Sequence, residues 1–295
     1  MEFRMISSVS KRIGHALEAR LLSPSVYVKK DFYRRTGRRL DLAHPTTFSE
    51  KIQYLKLYNR DPDLTNLVDK IEVKNFIRNE VGEKYTIPSA AIFSGVDEIN
   101  LETLPRRCVL KATHGSGWNF FIKNKDQVDL REIREFFKKW LGKSYYMYSK
   151  EWAYNGVRPR IVCEQLLLDE SGNVPDDYKV FCFNGRPKYV QVDHDRFTFH
   201  KRAFFDVKWR KQPFTIGYPF SEKQIVAPVC LDEMLHVSET IAGIAPFVRV
   251  DFLVHEERPF IGELTFYPGN GMEKFMPEKW DSDLGACLDV SEINA

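Results

Sequence analysis

The sequence predicts an α+β protein whose N-terminal part is mainly helical. Apolar residues recur at helical spacing in the first hundred residues, and from residue 107 the pattern changes to the period-two alternation that is typical of strands. A chain of 295 residues with 43% apolar residues has enough material for two or three modules. We expect four regions: a basic helical extension (1–45), a helical part of the main module (46–104), a lid subdomain with a glycine flap (105–168) and a C-terminal core subdomain with a carboxylate-bearing hairpin (169–295).

The composition excludes several protein classes. No stretch approaches the roughly 18 apolar residues of a membrane-spanning helix. The first five residues lack the apolar core of a secretory signal, so we expect a cytoplasmic protein. The five cysteines are widely spaced without a Cys-x-x-Cys pair, which argues against a disulfide framework and a cysteine-built zinc site.

The N-terminal segment is basic. Residues 1–60 contain 13 Lys and Arg against 5 Asp and Glu, and residues 3–22 have the spacing of an amphipathic helix. A solvated helical face is the preferred explanation. The alternative is peripheral association of residues 1–22 with an anionic membrane surface, at the inner face of the cell membrane. No nucleic-acid partner is expected.

The remaining elements follow from local signals. Thr47 or Ser49 is a candidate cap before a helix, and Gly82 ends the next one. Asn184-Gly185 is the strongest hairpin signal. Residues 144–154 form a Tyr-rich stretch that we expect to be mobile. The predicted helices are 51–58, 67–81, 130–141 and 231–242, and the predicted strands are 108–113, 118–122, 161–167, 177–183, 187–192, 247–254 and 259–266.

The last predicted hairpin places two carboxylates together. If its turn is centred on Glu257, Asp251 faces Glu263 and Arg249 faces Thr265, all on one side of the sheet. Opposed residues have Cβ atoms about 4.5–5.5 Å apart, where two carboxylates repel each other unless a cation lies between them. Oxygen ligands favour Mg²⁺, with Mn²⁺ as the alternative. A register shifted by one residue would instead put the acids on a solvated face.

A glycine-containing loop follows this hairpin. In Tyr267–Gly271, Gly269 and Asn270 are candidates for a cradle whose backbone N–H groups bind an oxyanion or a phosphate. An ordinary tight turn explains the same glycines.

A second glycine loop joins two predicted strands. Lys111 precedes His114-Gly115-Ser116-Gly117, which suits a flap that lies over phosphates. Other nucleotide motifs fail on spacing, since Phe137 stands where a Walker A motif needs glycine and Phe120 where a Rossmann fingerprint needs it. A protein kinase places its lysine after the loop, not before it.

These motifs resemble those of ATP-grasp enzymes in kind and order. The runs Asp176-Asp177-Tyr178-Lys179-Val180-Phe181 and Gly262–Gly271 are more specifically similar to the TupA-like branch, which is associated with teichuronopeptide and surface-polysaccharide biosynthesis. The resemblance covers about residues 45–290. It implies an ATP-grasp fold, in which two α+β subdomains clasp ATP.

The resemblance also implies a role for each matching residue. Arg249, Gly269 and Asn270 would act in catalysis, and Asp251, Glu263 and Thr265 would hold Mg²⁺. Thr265 departs from the family, which commonly has Asn at this position. Within the ATP site, lysines would bind phosphates, the flap would close over them, and backbone groups after the lid would read the adenine. The ATP-binding set is Lys70, Lys111, His114, Gly115, Ser116, Gly117, Glu164, Gln165, Leu166, Leu167, Asp177 and Lys179.

The reaction class implied is a carboxylate–amine ligation. ATP phosphorylates a carboxylate, and an amine attacks the acyl phosphate to form an amide with release of ADP. The resemblance implies that the partners are a small amine and a carboxylate on a sugar, an amino acid or a polymer, with an amino acid joined to a uronic acid or amino acid of a bacterial surface polysaccharide. Positioning and charge neutralisation would carry the catalysis.

Two other functions remain as alternatives. Asp193-His194-Asp195 ends a predicted strand, and an Asp-x-Asp pair can bind the metal of a nucleotide sugar, as in a metal-dependent glycosyltransferase. Arg196, His200, Lys201 and Arg202 nearby can equally be ion-pair partners of these acids. The other alternative is a binding module without activity.

Overall fold

The structure of this chain is a computed structural model, which describes residues 17–169, 171–195 and 198–293. Helices dominate up to residue 80 and then recur between strands. The helices discussed below are α1 Pro24–Thr36, α2 Phe48–Tyr58, α3 Asp63–Val68, α4 Glu72–Glu80, α5 Leu130–Leu141, α6 Tyr145–Ser149, α7 Leu231–Ile241 and α8 Lys279–Gly285.

Two antiparallel sheets form the framework. The lid sheet has the order β1-β4-β2-β3, and the core sheet has the order β11-β10-β5-β6-β7-β8, while β9 pairs with β12. The strands are β1 Ser89–Phe93, β2 Cys108–Ala112, β3 Asn119–Ile122, β4 Ile161–Gln165, β5 Asp177–Phe183, β6 Arg186–His194, β7 Lys201–Asp206, β8 Lys211–Gln212, β9 Thr215–Ile216, β10 Phe247–His255, β11 Arg258–Thr265 and β12 Phe275–Met276.

Each sheet has its own hydrophobic core. Leu110 and Ile122 of the lid sheet pack with Phe137 of α5, and all three side chains are fully buried. The core sheet packs Phe181 and Phe247 against α2 and α7 in a larger cluster. The lid sheet also takes β1 from a segment that the sequence assigned to the helical part, since Ile92 pairs with Val162 of β4.

Several local predictions are confirmed. The Thr47 hydroxyl accepts a hydrogen bond from the backbone N–H of Glu50, whose side chain returns the bond, so a full capping box begins α2. Helix α5 has the predicted bounds. Asn184 and Gly185 both have positive φ, at 48° and 81°, as the two central residues of a type I′ hairpin require.

The predicted helix 67–81 is wrong, because it is broken into α3 and α4. Asp69 has the extended conformation φ −70°, ψ 122°, and its carboxylate accepts a hydrogen bond from the N–H of Ile71 at 2.8 Å. Asp residues compete with helix hydrogen bonds in this way. Arg160 holds the same carboxylate at 2.9 Å. The break leaves Lys70 between the helices, where its side chain points toward the glycine loop of the lid.

The expectation that residues 144–154 are mobile is also wrong. This stretch forms α6 and a following 3₁₀ turn, and the rings of Tyr145 and Tyr154 pack with centroids 4.6 Å apart. Lys150 is buried and donates a hydrogen bond to the Ala19 carbonyl at 2.6 Å. Aromatic packing and this buried lysine therefore fix a segment whose sequence suggested a loop.

Most of the predicted N-terminal helix 3–22 lies outside the described residues. Within the described part, basic residues pair with acids of the protein itself. Arg34 contacts Glu18 at 2.7 Å, and Arg38 contacts Asp281 of α8 at 2.8 Å. No helix among the described residues is both long and apolar enough to cross a bilayer. Peripheral membrane association of residues 1–22 stays a prediction.

Candidate functional site

A cleft of about 300 Å³ lies between the lid sheet and the core sheet. This volume is at the lower end of the about 300–1,000 Å³ range of small-molecule sites. One wall is apolar, with Ile87, Val109, Phe252 and Leu253. The predicted residues on the walls are Lys70, Lys111, Ser116, Gly117, Glu164, Gln165, Leu166, Leu167, Asp177, Lys179, Asp251 and Glu263.

The β10–β11 hairpin brings the two acids together as predicted. Asp251 pairs with Glu263, and Arg249 pairs with Thr265. The predicted turn centred on Glu257 is wrong, because the turn has two central residues, Glu256 and Glu257, with φ values of 50° and 60°.

A β-bulge corrects the register that this shorter turn would impose. Near the turn, His255 pairs with Arg258, so the residue numbers of paired residues add up to 513. At the acids, where Asp251 pairs with Glu263, they add up to 514. Gly262 is the extra residue between the two registers. Without the bulge, Glu263 would pair with Val250 and point to the opposite face of the sheet.

Asp251 is held tightly by its neighbour on the same strand face. Arg249 donates to both carboxylate oxygens of Asp251, at 2.6 Å each, and its Nη2 lies 3.3 Å from the Thr265 hydroxyl. Burial raises the pKa of Asp251 to about 6 despite this pairing. Arg249 and Thr265 lie two residues along their strands from Asp251 and Glu263, and they do not line the cleft.

Glu263 is the carboxylate that opens into the cleft. Within the described ranges, no hydrogen bond or ion pair to its side chain is present, but Lys70, Arg249 and Lys179 surround it. Burial raises the pKa of Glu263, and the charges of these cations and of Lys111 outweigh it, so the pKa is lowered. An ionised carboxylate facing Asp251 fits a hard divalent cation such as Mg²⁺.

No third acidic or sulfur ligand completes such a site in the described part of the chain, where no three His, Cys, Asp or Glu side chains converge. The oxygen ligands available for a metal are the carboxylates of Asp251 and Glu263 and the hydroxyl of Thr265. A Mg²⁺ ion held by one or two carboxylates normally completes its coordination shell with water and phosphate oxygens. The donor set therefore fits a metal that binds together with a phosphorylated ligand.

The glycine loop of the lid reaches down to the core. Lys70 donates a hydrogen bond to the carbonyl of Gly115 at 2.5 Å. A Cβ atom at Gly115 would lie 2.6 Å from the ring of Trp118, so only glycine fits beneath this ring. Gly117 has φ 75°, and Ser116 is exposed on the cleft side.

His114 lies on the other side of this loop. Its Nε2 is 3.1 Å from the Trp140 carbonyl oxygen, and its ring packs edge-on against Trp118. Burial lowers the pKa of His114. The ring thus belongs to the core of the lid and does not line the cleft.

Lys111 shares a buried carboxylate with a lysine that sequence analysis missed. Glu164 contacts Lys111 at 2.6 Å and Lys74 at 2.8 Å. Burial raises the pKa of Glu164, but the two lysines outweigh it and the pKa is lowered. Lys74 follows Lys70 by four residues, and this spacing was the available signal. Because Lys74 also neutralises Glu164, the carboxylate keeps one counter-charge when Lys111 moves to a phosphate. The free-energy cost of breaking the Lys111–Glu164 ion pair is therefore smaller.

The Asp-x-Asp pair is engaged in ion pairs. Asp193 is fully buried and accepts bonds from Lys179 and Arg202 at 2.6 Å each, with His200 at 3.1 Å. Asp195 contacts the ring of His194 at 2.8 Å. This geometry favours the ion-pair alternative for these acids over a metal site.

His194 also bonds to Ser221, at 2.6 Å from its Nε2 to the hydroxyl oxygen. The order Ser221, His194, Asp195 imitates a hydrolase triad. Ser221 is fully buried, however, so its hydroxyl is not accessible to a substrate. The two bonds orient the ring of His194 at the end of β6.

The loop Pro268–Gly271 is shaped by α2. Gly269 and Asn270 both have φ 56°, and the carbonyl of Asn270 accepts from Gln53 Nε2 at 2.6 Å. Lys56 Nζ donates to the side-chain oxygen of Asn270 at 2.7 Å. Side chains of α2, more than 200 residues away in sequence, therefore hold the loop in its left-handed conformation.

The family model of TupA-like ATPgrasp proteins matches residues 50–289. The chain belongs to this family. This match confirms the ATP-grasp fold that the sequence predicted for the TupA-like ATPgrasp protein. No curated protein matches it in sequence.

Solved structures of other proteins resemble this TupA-like ATPgrasp chain at low identity. D-alanine–D-alanine ligase from Bacillus anthracis is 18% identical, with a TM-score of 0.47 over 76% of this chain and 64% of that chain. The structure of the same ligase complexed with ATP is 14% identical, with a TM-score of 0.42 over 69% of this chain and 55% of that chain. N5-carboxyaminoimidazole synthetase from Staphylococcus aureus is 14% identical, with a TM-score of 0.40 over 68% of this chain and 44% of that chain. The chain thus spans less than two thirds of each.

Proposed function

We propose that this protein is an ATP-dependent, ADP-forming ligase that joins a carboxylate to an amine through an acyl phosphate. The observation that carries the proposal is the cleft in which Lys70, Lys111 and Lys179 converge on the facing carboxylates Asp251 and Glu263. Three cations opposite two carboxylates that would hold Mg²⁺ suit a triphosphate. Membership of the ATP-grasp family supports the same reaction class.

The chain supplies a residue for each part of this reaction. Lys70 and Lys111 would bind phosphates beneath the flap, and Leu166 and Leu167 would line the adenine site beside the apolar wall. Asp177 would bind the ribose. Asp251 and Glu263, with Thr265, would hold Mg²⁺, which supplies charge neutralisation at the phosphates.

The transfer itself needs electrostatic stabilisation of the carboxylate that accepts the phosphoryl group. Arg249 would stabilise charge on the reacting oxygens, since its guanidinium lies on the face that carries the two metal ligands. The backbone of Gly269 and Asn270 would receive the oxyanion of the acyl group. Lys179, which pairs with Asp251 across β5 and β10, adds a further positive charge.

The acceptor we propose is a uronic acid or an amino acid of a bacterial surface polysaccharide, to which an amino acid is joined. This finer part rests on the resemblance of the runs 176–181 and 262–271 to the TupA-like branch. The test is the nucleotide product. With ATP, Mg²⁺ and panels of uronic acids and amino acids, we expect release of ADP; release of AMP or of a sugar nucleotide's diphosphate would contradict the proposal.

Flap closure offers a second test. Ser116 and Gly117 are exposed at the tip of this loop, and its buried residue Gly115 is tied down by the hydrogen bond from Lys70. ATP with Mg²⁺ is expected to slow proteolysis of this loop, because phosphates give the flap additional backbone contacts. Limited proteolysis followed by mass spectrometry of the fragments measures the rate at this site. Cleavage after Lys208, in the exposed turn between β7 and β8 whose residues do not line the cleft, serves as the control, and equal protection at both sites would contradict flap closure.

A further inference from the structure

Glu273 is a partly exposed acid beside the proposed oxyanion loop, and the proposed ATP site gives it no role. It follows the loop Pro268–Gly271 and precedes β12, which pairs with β9. Gly217 comes directly after β9, and its N–H donates a hydrogen bond to the carbonyl of Lys274 at 2.9 Å. Backbone pairing therefore fixes Glu273 next to the turn that follows β9.

Two glycines flank the side chain of Glu273. Gly217 and Gly269 are both exposed, with φ values of 74° and 56°. A Cβ atom at Gly217 would lie 2.3 Å from Glu273 Oε1, and a Cβ atom at Gly269 would lie 2.3 Å from Glu273 Oε2. A side chain at either position would therefore displace the carboxylate. The carboxylate thus lies between two exposed stretches of backbone, and one of them belongs to the proposed oxyanion loop.

The carboxylate of Glu273 is only loosely paired. Within the described ranges, its side chain has one hydrogen-bond partner, Arg202, whose Nη1 lies 3.5 Å from Oε1, at the outer limit for a hydrogen bond. Arg202 has other partners, because it donates to both oxygens of Asp193, at 2.6 and 3.3 Å, and to the carbonyl of Ile216. Glu273 can therefore accept hydrogen bonds from a ligand without leaving the buried arginine unpaired.

Acids on the cleft face of the core sheet are already engaged. Asp193 and Asp251 accept short hydrogen bonds from buried cations, and Glu263 belongs to the proposed metal pair. The side chains of Asp193 and Asp251 are 1% and 9% exposed, against 27% for Glu273. Among these four acids, Glu273 is therefore the one that a small cation can reach from solvent without displacing a protein cation.

The proposed ligation requires a subsite for its second substrate. The amino group of an amino acid is mainly an ammonium ion near neutral pH, and it has to approach the acyl carbon whose oxyanion the loop at Gly269 would receive. The geometry points to Glu273 as the residue that binds this ammonium group. The inference rests on the proposed function and adds the amine subsite to it. Charge-assisted hydrogen bonds are about twice as strong as neutral ones, so the subsite favours ammonium ions over neutral nucleophiles.

The test compares two nucleophiles on Glu273→Gln. A panel of amino acids supplies ammonium ions, whereas hydroxylamine is largely neutral near pH 7 and traps the acyl phosphate without an ammonium subsite. With ATP, Mg²⁺ and a uronic acid that releases ADP with the unaltered protein, the KM of the amino acid is expected to rise about 10–100-fold. This change corresponds to the loss of one hydrogen bond to a charged group. Hydroxamate formation from hydroxylamine should be unchanged.

A second variant moves the carboxylate without removing it. In Gly217→Ala the new Cβ atom would lie 2.3 Å from Glu273 Oε1, so the side chain has to shift. We expect the same selective rise in the KM of the amino acid, with unchanged hydroxamate formation. The matched control is Glu278→Gln, which makes the identical chemical change in the same segment on a side chain that is 74% exposed. Both reactions should survive this substitution.

Three results would overturn the inference while the acyl phosphate stands. Equal loss of amide and hydroxamate in Glu273→Gln would assign Glu273 a structural role beside Arg202. An unaltered KM of the amino acid in this variant would show that the ammonium group binds elsewhere. Hydroxamate formation by the unaltered protein without amide formation from any amino acid would exclude an ammonium subsite. If the unaltered protein forms neither ADP nor hydroxamate with any carboxylate, the proposed function fails, and the inference with it.

Discussion

Glu263→Gln is expected to lose magnesium-dependent binding of ATP. Glu263 faces Asp251 on the hairpin and opens into the cleft, so the amide removes the charge on which a hard cation depends. Asp251 alone is a weak substitute, because Arg249 binds both of its oxygens. Loss of an outer-shell partner already costs about 10–100-fold in metal affinity, so we expect at least about 100-fold here. Calorimetry with ATP in the presence of Mg²⁺ measures this change.

The same hairpin provides the control. Glu257 lies exposed at the turn, so Glu257→Gln makes the identical chemical change on the same pair of strands without reaching the cleft. In EDTA, Glu263→Gln should bind ATP at least as tightly as Glu257→Gln, because the lost interaction passes through the metal and the amide no longer repels the phosphates. An unaltered affinity of Glu263→Gln for ATP with Mg²⁺ would remove the basis for the metal assignment.

The sequence correctly predicted that Asp251 pairs with Glu263, but it predicted the wrong turn for this hairpin. Alternation and the spacing of Asp251 and Glu263 indicated a shared face, and the structure confirms the pair. The assumed turn was one residue too long, and the bulge at Gly262 compensates for it. A glycine inside a strand pattern is a known signal of a bulge, so both features could have been inferred together.

Contacts between distant segments were beyond the reach of sequence patterns. Lys56 touches Asn270 across 214 residues of sequence, and nothing in either local pattern indicates the other. The break at Asp69 was missed because the apolar spacing continues across it, and only the contact with Arg160 reveals why the chain turns there.

Asp193→Asn is expected to destabilise the protein by about 3–5 kcal/mol, the usual cost of removing one partner from a buried ion pair. The carboxylate accepts from Lys179, Gln191 and Arg202, and the amide would leave two buried cations without their counter-charge. Urea denaturation followed by fluorescence measures the loss. Asp195→Asn is the matched control, since Asp195 is exposed, and it should leave stability nearly unchanged.

The dependence of stability on pH separates this role from a metal-binding one. Burial raises the pKa of Asp193, but the charges of Lys179 and Arg202 outweigh it and hold the pKa well below its ordinary value. A lowered folded-state pKa stabilises the protein fully above the unfolded value of about 3.9, and the contribution is lost as the pH falls below it. Asp193→Asn should therefore show a shallower loss of stability between about pH 4 and pH 2 than the unaltered protein. A glycosyltransferase site would require both Asp193 and Asp195 for metal binding, so equal loss of Mn²⁺ binding in the two variants, without destabilisation, would favour that alternative.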